Sequence, residues 1–252
     1  MYLNKQGEGK IDWCDYTWNP IGGKCLYECE YCYMAGIRRR FPNNEKINAE
    51  PFLDEKVLNT TFPEKPSIIF VCSANDMFGD WIPEEWVDQV FELTRQYPKH
   101  TFMMLTKNPK RYLRFFTSQY QNVWLGITYD GFKQTTGNIS ILNKKAWVNP
   151  LFVSFEPLFA VSENLDLSGI DWVILGADSR LKKVPEKILN AGRQVIELAR
   201  AEEIPVWVKD NFKGLEMIKE MPPELQNIRD MARLSRAVDP CSSPAGVVIG
   251  QT

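Results

Sequence analysis

Short runs of apolar, largely β-branched residues recur along the chain. Between them lie longer stretches in which apolar positions return every three or four residues. Runs of the first kind predict strands at residues 67–72, 101–105, 123–127, 151–155, 172–175 and 206–208, with a seventh near 16–18. Nearly continuous hydrophobicity, rather than alternation, is what a strand buried on both faces requires. The intervening stretches carry helix start signals. Pro83 followed by Glu84 and Glu85 reads as a first helical turn, with Trp86, Val87, Val90 and Phe91 on the buried stripe. Pro109 opens a short helix through Arg114, and Pro185 opens the longest, with Ile188, Leu189, Val195, Leu198 and Ala199 facing inward. Residues 138–147 also read as helical. Strands alternating with helices indicate an α/β fold built on a parallel sheet of right-handed βαβ units. Six to seven such units make a parallel (β/α) partial TIM-type barrel.

The pattern shows no internal repeat, low-complexity tract or long linker, so all 252 residues are expected to form a single domain, with a C-terminal extension from about residue 213. Hydrophobic residues make up 44% and charged residues 25%, ordinary values for a globular chain. Net charge is 30 − 32 = −2, which excludes a whole-molecule electrostatic trap for nucleic acid or membrane and leaves only local patches. The polar N-terminus has no apolar signal core, and no apolar run reaches the roughly 18 residues a membrane span needs. With unpaired thiols, this points to a cytoplasmic protein with no membrane partner.

One segment changes the picture: Cys25-Leu-Tyr-Glu-Cys29-Glu-Tyr-Cys32-Tyr33. Three thiolates spaced C-x3-C-x2-C can meet at one metal centre. Structural iron–sulfur clusters and structural zinc sites take four ligands, and Met34, Ala35 and Gly36 offer no local fourth. A cubane held by three thiolates keeps one iron open. Zinc would need a fourth ligand from Cys14, Cys72, Cys241 or the single histidine, His100. Six cysteines in this length do not make a disulfide scaffold.

Barrel chemistry sits at the C-terminal ends of the strands, and all six of these ends deliver polar groups. They are Ser73, Asn75 and Asp76; Thr106 and Lys107; Thr128 and Asp130; Glu156; Asp178, Ser179 and Arg180; and Lys209, Asp210 and Asn211. Glu156 and Lys209 directly abut apolar strands and are the candidate catalytic pair. A carboxylate facing a lysine in one cavity helps keep both charged.

The cysteine spacing resembles that of the radical S-adenosylmethionine (SAM) superfamily. Asp12-Trp13, Thr17-Trp18-Asn19-Pro20, Ser73-Ala74-Asn75-Asp76-Met77-Phe78, Leu105-Thr106-Lys107, Phe155-Glu156-Pro157-Leu158, Asp171-Trp172 through Gly176, and Ile204-Pro205-Val206-Trp207 extend the similarity. Together they resemble a phage- and prokaryote-associated family of radical SAM-like proteins. Two departures stand out. Relatives often space the first two cysteines more widely, and they carry Gly-Gly-Glu-Ser where this chain has Gly176-Ala177-Asp178-Ser179.

The resemblance implies a radical SAM-like partial barrel and an enzyme in which Cys25, Cys29 and Cys32, within a loop near residues 22–36, hold a [4Fe–4S] cluster. Its open iron would chelate SAM. One electron from a reductant such as flavodoxin or ferredoxin would cleave SAM to a 5′-deoxyadenosyl radical that abstracts hydrogen from substrate. Tyr31 stands where an aromatic meets the adenine, and Ser73, Asn75 and Asp76 where the SAM amino group binds. Thr128 and Asp130 stand near the ribose, Gly176 where backbone approaches the adenosine, and Asp178 where cofactor or substrate is contacted. Arg38, Arg39 and Arg40, with Lys107, Asn108, Lys110 and Arg111, would guide a phosphate backbone if they shared one groove. By analogy, phage association and radical repair enzymes of similar architecture make a nucleic-acid base the expected substrate, for modification or repair. Two other readings stand beside this one. The first is a non-catalytic zinc or iron–sulfur module with Cys14 as fourth ligand. The second is an acid–base hydrolase using Glu156 and Lys209, which leaves the cysteines idle.

Overall fold

The computed structural model describes residues 2–7, 9–115, 117–143 and 147–237. Its strands are β1 (Leu3–Lys5), β2 (Tyr16–Trp18), β3 (Ile21–Gly22), β4 (Phe52–Leu53), β5 (Ile68–Val71), β6 (Thr101–Thr106), β7 (Val123–Thr128), β8 (Leu151–Phe155), β9 (Trp172–Leu175) and β10 (Val206–Val208). The helices are α1 (Tyr33–Arg40), α2 (Glu45–Asn48), α3 (Glu55–Leu58), α4 (Glu84–Gln96), α5 (Lys133–Thr136), α6 (Ile139–Asn143), α7 (Glu186–Ala201) and α8 (Pro223–Ala237).

The main sheet has eight strands in the order β1-β2-β5-β6-β7-β8-β9-β10. From β2 to β10 every pairing is parallel, whereas β1 lies antiparallel on the outer edge of β2. The expected α/β class with a parallel sheet is therefore observed. No ladder joins β1 to β10, so hydrogen bonds do not close the sheet into a barrel. A side chain links its edges instead. The Trp207 indole N–H on β10 donates to the Asp12 carboxylate, from the segment joining β1 to β2, at 3.1 Å. Lys219 bonds the same carboxylate, and the Arg229 guanidinium on α8 donates to the Asp12 carbonyl at 2.8 Å. The sheet curls far enough for its two ends to meet at one aspartate.

Alternation of side chains along each strand gives the curled sheet two different faces. Phe102 and Met104 on β6, Leu125 and Ile127 on β7, and Val153 and Phe155 on β8 belong to the core shared with the helices. The opposite face starts aromatic and ends polar. It runs Met103, Leu105, Lys107 along β6; Trp124, Gly126, Thr128 along β7; Phe152, Ser154, Glu156 along β8; and Trp207, Lys209 along β10. At the strand starts this inner face is plugged by Trp13, whose ring lies 4.9 Å from Phe70 and edge-on to Trp172 at 6.0 Å. Leu225 and Ile228 of α8 cover the same plug. Gly126 is required here, because a Cβ would stand 2.1 Å from the Phe152 ring that crosses it.

Residues 109–114 form the expected short helix, in 3-10 geometry. Its Tyr112 is buried and its hydroxyl donates to the Gly126 carbonyl at 2.7 Å, so the turn is tightened by a tertiary contact. Several elements differ from expectation. In the stretch 138–147 the helix α6 ends at Asn143, and residues 144–146 lie outside the described residues, as does Cys241. The edge strand β1, the small β3–β4 ribbon and α8 were not expected.

His100, immediately before β6, is fully buried beside Phe62, Tyr97 and Phe102. Burial, with a smaller contribution from the Lys99 charge, pulls its pKa down to about 4. The unfolded chain takes up this proton near pH 6.5 and the native chain only near pH 4. Stability is therefore complete above pH 6.5 and declines as pH falls toward 4, by roughly 1 kcal/mol per pH unit at the steepest. A His100→Phe variant should show a flatter Tm between pH 6.5 and 4 than the parent. Parallel Tm profiles for the two proteins would show that this histidine is not the acid-sensitive group.

Candidate active site

The polar end of the inner face opens into a cavity of about 910 Å³. Trp13 and Phe70 form its apolar depth, and Thr17, Leu105, Thr128 and Ser154 line its wall. At its mouth stand Cys25, Cys29 and Cys32 together with Asn75, Asp76, Glu156 and Lys209. Among the sequence-selected site residues, Tyr31, Ser73 and Asp178 also line it, whereas Asp130 and Gly176 do not.

Residues on either side of the second and third cysteines are tied to the ends of different strands. The Glu30 carbonyl accepts from the Arg180 guanidinium at 2.8 Å, beyond β9. Tyr31 donates its hydroxyl to Asp130, beyond β7, and accepts from the Lys107 ammonium, beyond β6. Lys107 also pairs with Asp130 at 3.0 Å. The Tyr33 hydroxyl donates to the Ser73 carbonyl, beyond β5, at 3.0 Å. Cys32 immediately precedes α1, and its N–H donates to the Cys29 carbonyl at 2.9 Å. The cysteine loop is thus spread across the mouth by ties to four strand ends.

Among the described residues, no three His, Cys, Asp or Glu side chains are gathered closely enough to hold a metal ion. The donor chemistry nevertheless suits an iron–sulfur cluster, since Cys25, Cys29 and Cys32 are free thiols on one loop and one cavity wall. Burial pushes the Cys25 thiol up to about 11 and also raises Cys29, where the nearby Lys107 charge opposes the rise. A ligated cation would provide the positive charge that favours thiolates here. Cys14 differs. It is packed beside Trp13, does not line the cavity, and donates to the Ile11 carbonyl.

The charged residues fall into two groups. Asp76 is buried and accepts from the Thr106 hydroxyl (3.0 Å), the Lys107 N–H (2.8 Å) and the Phe78 N–H (3.0 Å), while burial raises its pKa. Burial works against the Asp130 charge, yet Lys107, Thr135 and Tyr31 hold its carboxyl below the usual range. Asp178 is held low mainly by Arg180, which grips both of its oxygens. These three carboxylates are committed to the scaffold. Glu156 and Lys209 form the second group. They pair with each other inside the cavity and have no further side-chain hydrogen-bond partner among the described residues. Gly176 makes room for them, because a Cβ there would stand 2.8 Å from the Glu156 Cδ and Cγ.

The basic cluster expected to guide phosphates is not one surface. Arg111 is buried and donates to the carbonyls of Gly79 and Ile82. Lys107 points into the cavity, and only Arg39, Arg40 and Lys110 of that set are exposed. Sequence reasoning missed the tying roles of Lys107 and Arg180. A signal was present for Lys107, which lies an even number of residues beyond inward-facing Met103 and Leu105.

Gly176→Ala should lower stability by about 1–3 kcal/mol by displacing the Glu156 carboxylate. In a Glu156→Ala background the same change should cost much less, as measured by thermal or urea unfolding. Strict additivity of the two changes would show that the glycine does not serve the glutamate.

Residues 8–220 match the family described as protein of unknown function (DUF5131), and the chain belongs to that family. No curated protein matches the sequence. Structures of spore photoproduct lyase are similar in fold comparison. One, with bound AdoMet and dinucleoside spore photoproduct, aligns at TM-score 0.43 and 10% identity over 92% of this chain and 75% of that chain. Two further mutant forms align at TM-score 0.44 and 9% identity, over 93% and 92% of this chain and 75% of each of theirs.

Proposed function

We propose that this DUF5131 family member is a radical SAM enzyme acting on a nucleic-acid base. The observation that carries the reading is the cavity itself. Three free thiols with superfamily spacing and the polar ends of a parallel sheet face one open-mouthed cavity, whose volume falls in the usual range for ligand sites. Cys25, Cys29 and Cys32 would hold a [4Fe–4S] cluster, with flavodoxin or ferredoxin as reductant. Bound there, the cluster and SAM supply one-electron cleavage of a sulfonium and removal of a hydrogen atom from substrate.

The chain's own residues do the rest. Ties at Glu30, Tyr31 and Tyr33 hold the cysteines over the cavity. Ser73, Asn75, Asp76 and Thr128 border the space we assign to SAM. Asp130, Asp178 and Gly176 act at one remove, through Tyr31 and Lys107, Arg180, and Glu156 respectively. Glu156 and Lys209 are left to contact substrate. The aromatic plug shuts water out of the deep end, which shields a reactive radical from side reactions.

The competing reading, a structural zinc module completed by Cys14, is disfavoured by the position of that thiol in the plug. After anaerobic reconstitution with iron and sulfide, Cys14→Ala should keep the parent's iron content, whereas Cys25→Ala, Cys29→Ala and Cys32→Ala should each lose most of it. The EPR spectrum of the reduced protein should show a [4Fe–4S] signal that changes when SAM is added. A protein that takes zinc stoichiometrically and shows no SAM-responsive signal is not a radical SAM enzyme.

A further inference from the structure

The hydrogen-bonding capacity left over in the cavity defines what it can take. Of the charged side chains that line it, Lys10 and Asp210 lie exposed at its margin. Asp12, Asp76, Lys107 and Asp178 are engaged by Trp207 and Lys219, by Thr106 and two backbone N–H groups, by Asp130 and Tyr31, and by Arg180. Lys107 keeps one N–H, and among the described residues Glu156 and Lys209 are the charged pair that retains a donor and an acceptor side by side. Their side chains are 28% and 14% exposed, and a single hydrogen bond joins them. An ammonium has three N–H donors and a carboxylate two acceptor oxygens. The pair therefore presents two N–H groups beside one unoccupied carboxylate oxygen.

That arrangement selects chemically. A phosphate or carboxylate placed on Lys209 would meet Glu156, and an ammonium placed on Glu156 would meet Lys209. The match is a neutral group with a donor and an acceptor side by side. A trans peptide cannot offer this, since its N–H and C=O point in opposite directions. A ring lactam or amidine can. The neighbouring Trp13, Phe70 and Leu105 offer apolar surface to the faces of such a ring.

Building on the enzyme reading above, we infer that Glu156 and Lys209 read the pairing edge of one unpaired nucleobase drawn into the cavity. Glu156 accepts from the ring N–H or exocyclic amine, and Lys209 donates to the adjacent carbonyl or ring nitrogen. In a duplex this edge is already occupied. The substrate must therefore be single-stranded or have the base extruded, at the cost of unstacking it.

The test measures fluorescence anisotropy of labelled ten-nucleotide DNA with the full-length, reconstituted protein. Single strands should bind at least tenfold more tightly than a blunt duplex of the same sequence. Removing one base to leave an abasic site, with all phosphates kept, should map where that advantage arises. Lys209→Met and Glu156→Gln should each weaken single-strand binding about tenfold, and neither should further weaken binding to a fully abasic strand. Gly176→Ala, which displaces the carboxylate without changing charge, should give the same pattern if either variant folds poorly. Equal binding of duplex and single strand, full binding of the abasic strand, or competition by a glutamine-rich peptide where oligonucleotides fail would each overturn the inference. A SAM-responsive EPR signal without base-dependent binding would refute this inference alone. Base-dependent binding without that signal would refute the enzyme reading alone.

Discussion

The two edges of the curled sheet are joined at one aspartate. Asp12 receives the Trp207 indole from the far edge, the ammonium of Lys219, and, through its carbonyl, the guanidinium of Arg229. Lys219 and Arg229 also stack over the Trp207 ring, at 4.8 and 5.3 Å from its centroid. A parallel sheet with both edges free is only twisted. Joined at this point, it acquires an inside. The aromatic plug then has something to fill, and the polar strand ends share one space rather than scattering along an open rim.

In and beside that space, most of the charge is architectural. Asp76, Asp130 and Asp178 bind donors from their own turns or from neighbouring strand ends, and the cost of burying each carboxylate is offset by several hydrogen bonds. Their product is placement: Tyr31 and Glu30 are held where the cysteine loop must cross. What distinguishes Glu156 and Lys209 is incompleteness. A half-satisfied pair inside a cavity has a poor structural rationale, and a good one as a contact waiting for a polar ligand.

Much of this was legible in the chain, and the gaps have physical causes. Ile68–Val71, Val123–Thr128 and Leu151–Phe155 announce themselves because burial on both faces leaves uninterrupted apolar runs. For the same reason, those runs hide which face is which. Lys107, Thr128, Ser154, Glu156 and Lys209 reveal the inner face, by appearing where it turns polar. The strand Leu3–Lys5 was not visible because an exposed edge needs little hydrophobicity. Arg180 gave no warning, since its partner on the cysteine loop is a main-chain carbonyl 150 residues away. Arg111 looked like surface charge and is a buried clamp on two carbonyls. Charge type was readable from sequence, but burial was not.

The ties on the cysteine loop also order events during synthesis. Cys25 to Cys32 precede the groups that hold their loop, which arrive at Ser73, Lys107, Asp130 and Arg180. The edge-joining contacts arrive later still, at Trp207, Lys219 and Arg229. A nascent chain therefore exposes these thiols before the groups that shelter them have been made. Such long sequence separations slow the closing step of folding. Under the enzyme reading, a cluster at this loop would mature late, with completion of the sheet rather than with emergence of the cysteines.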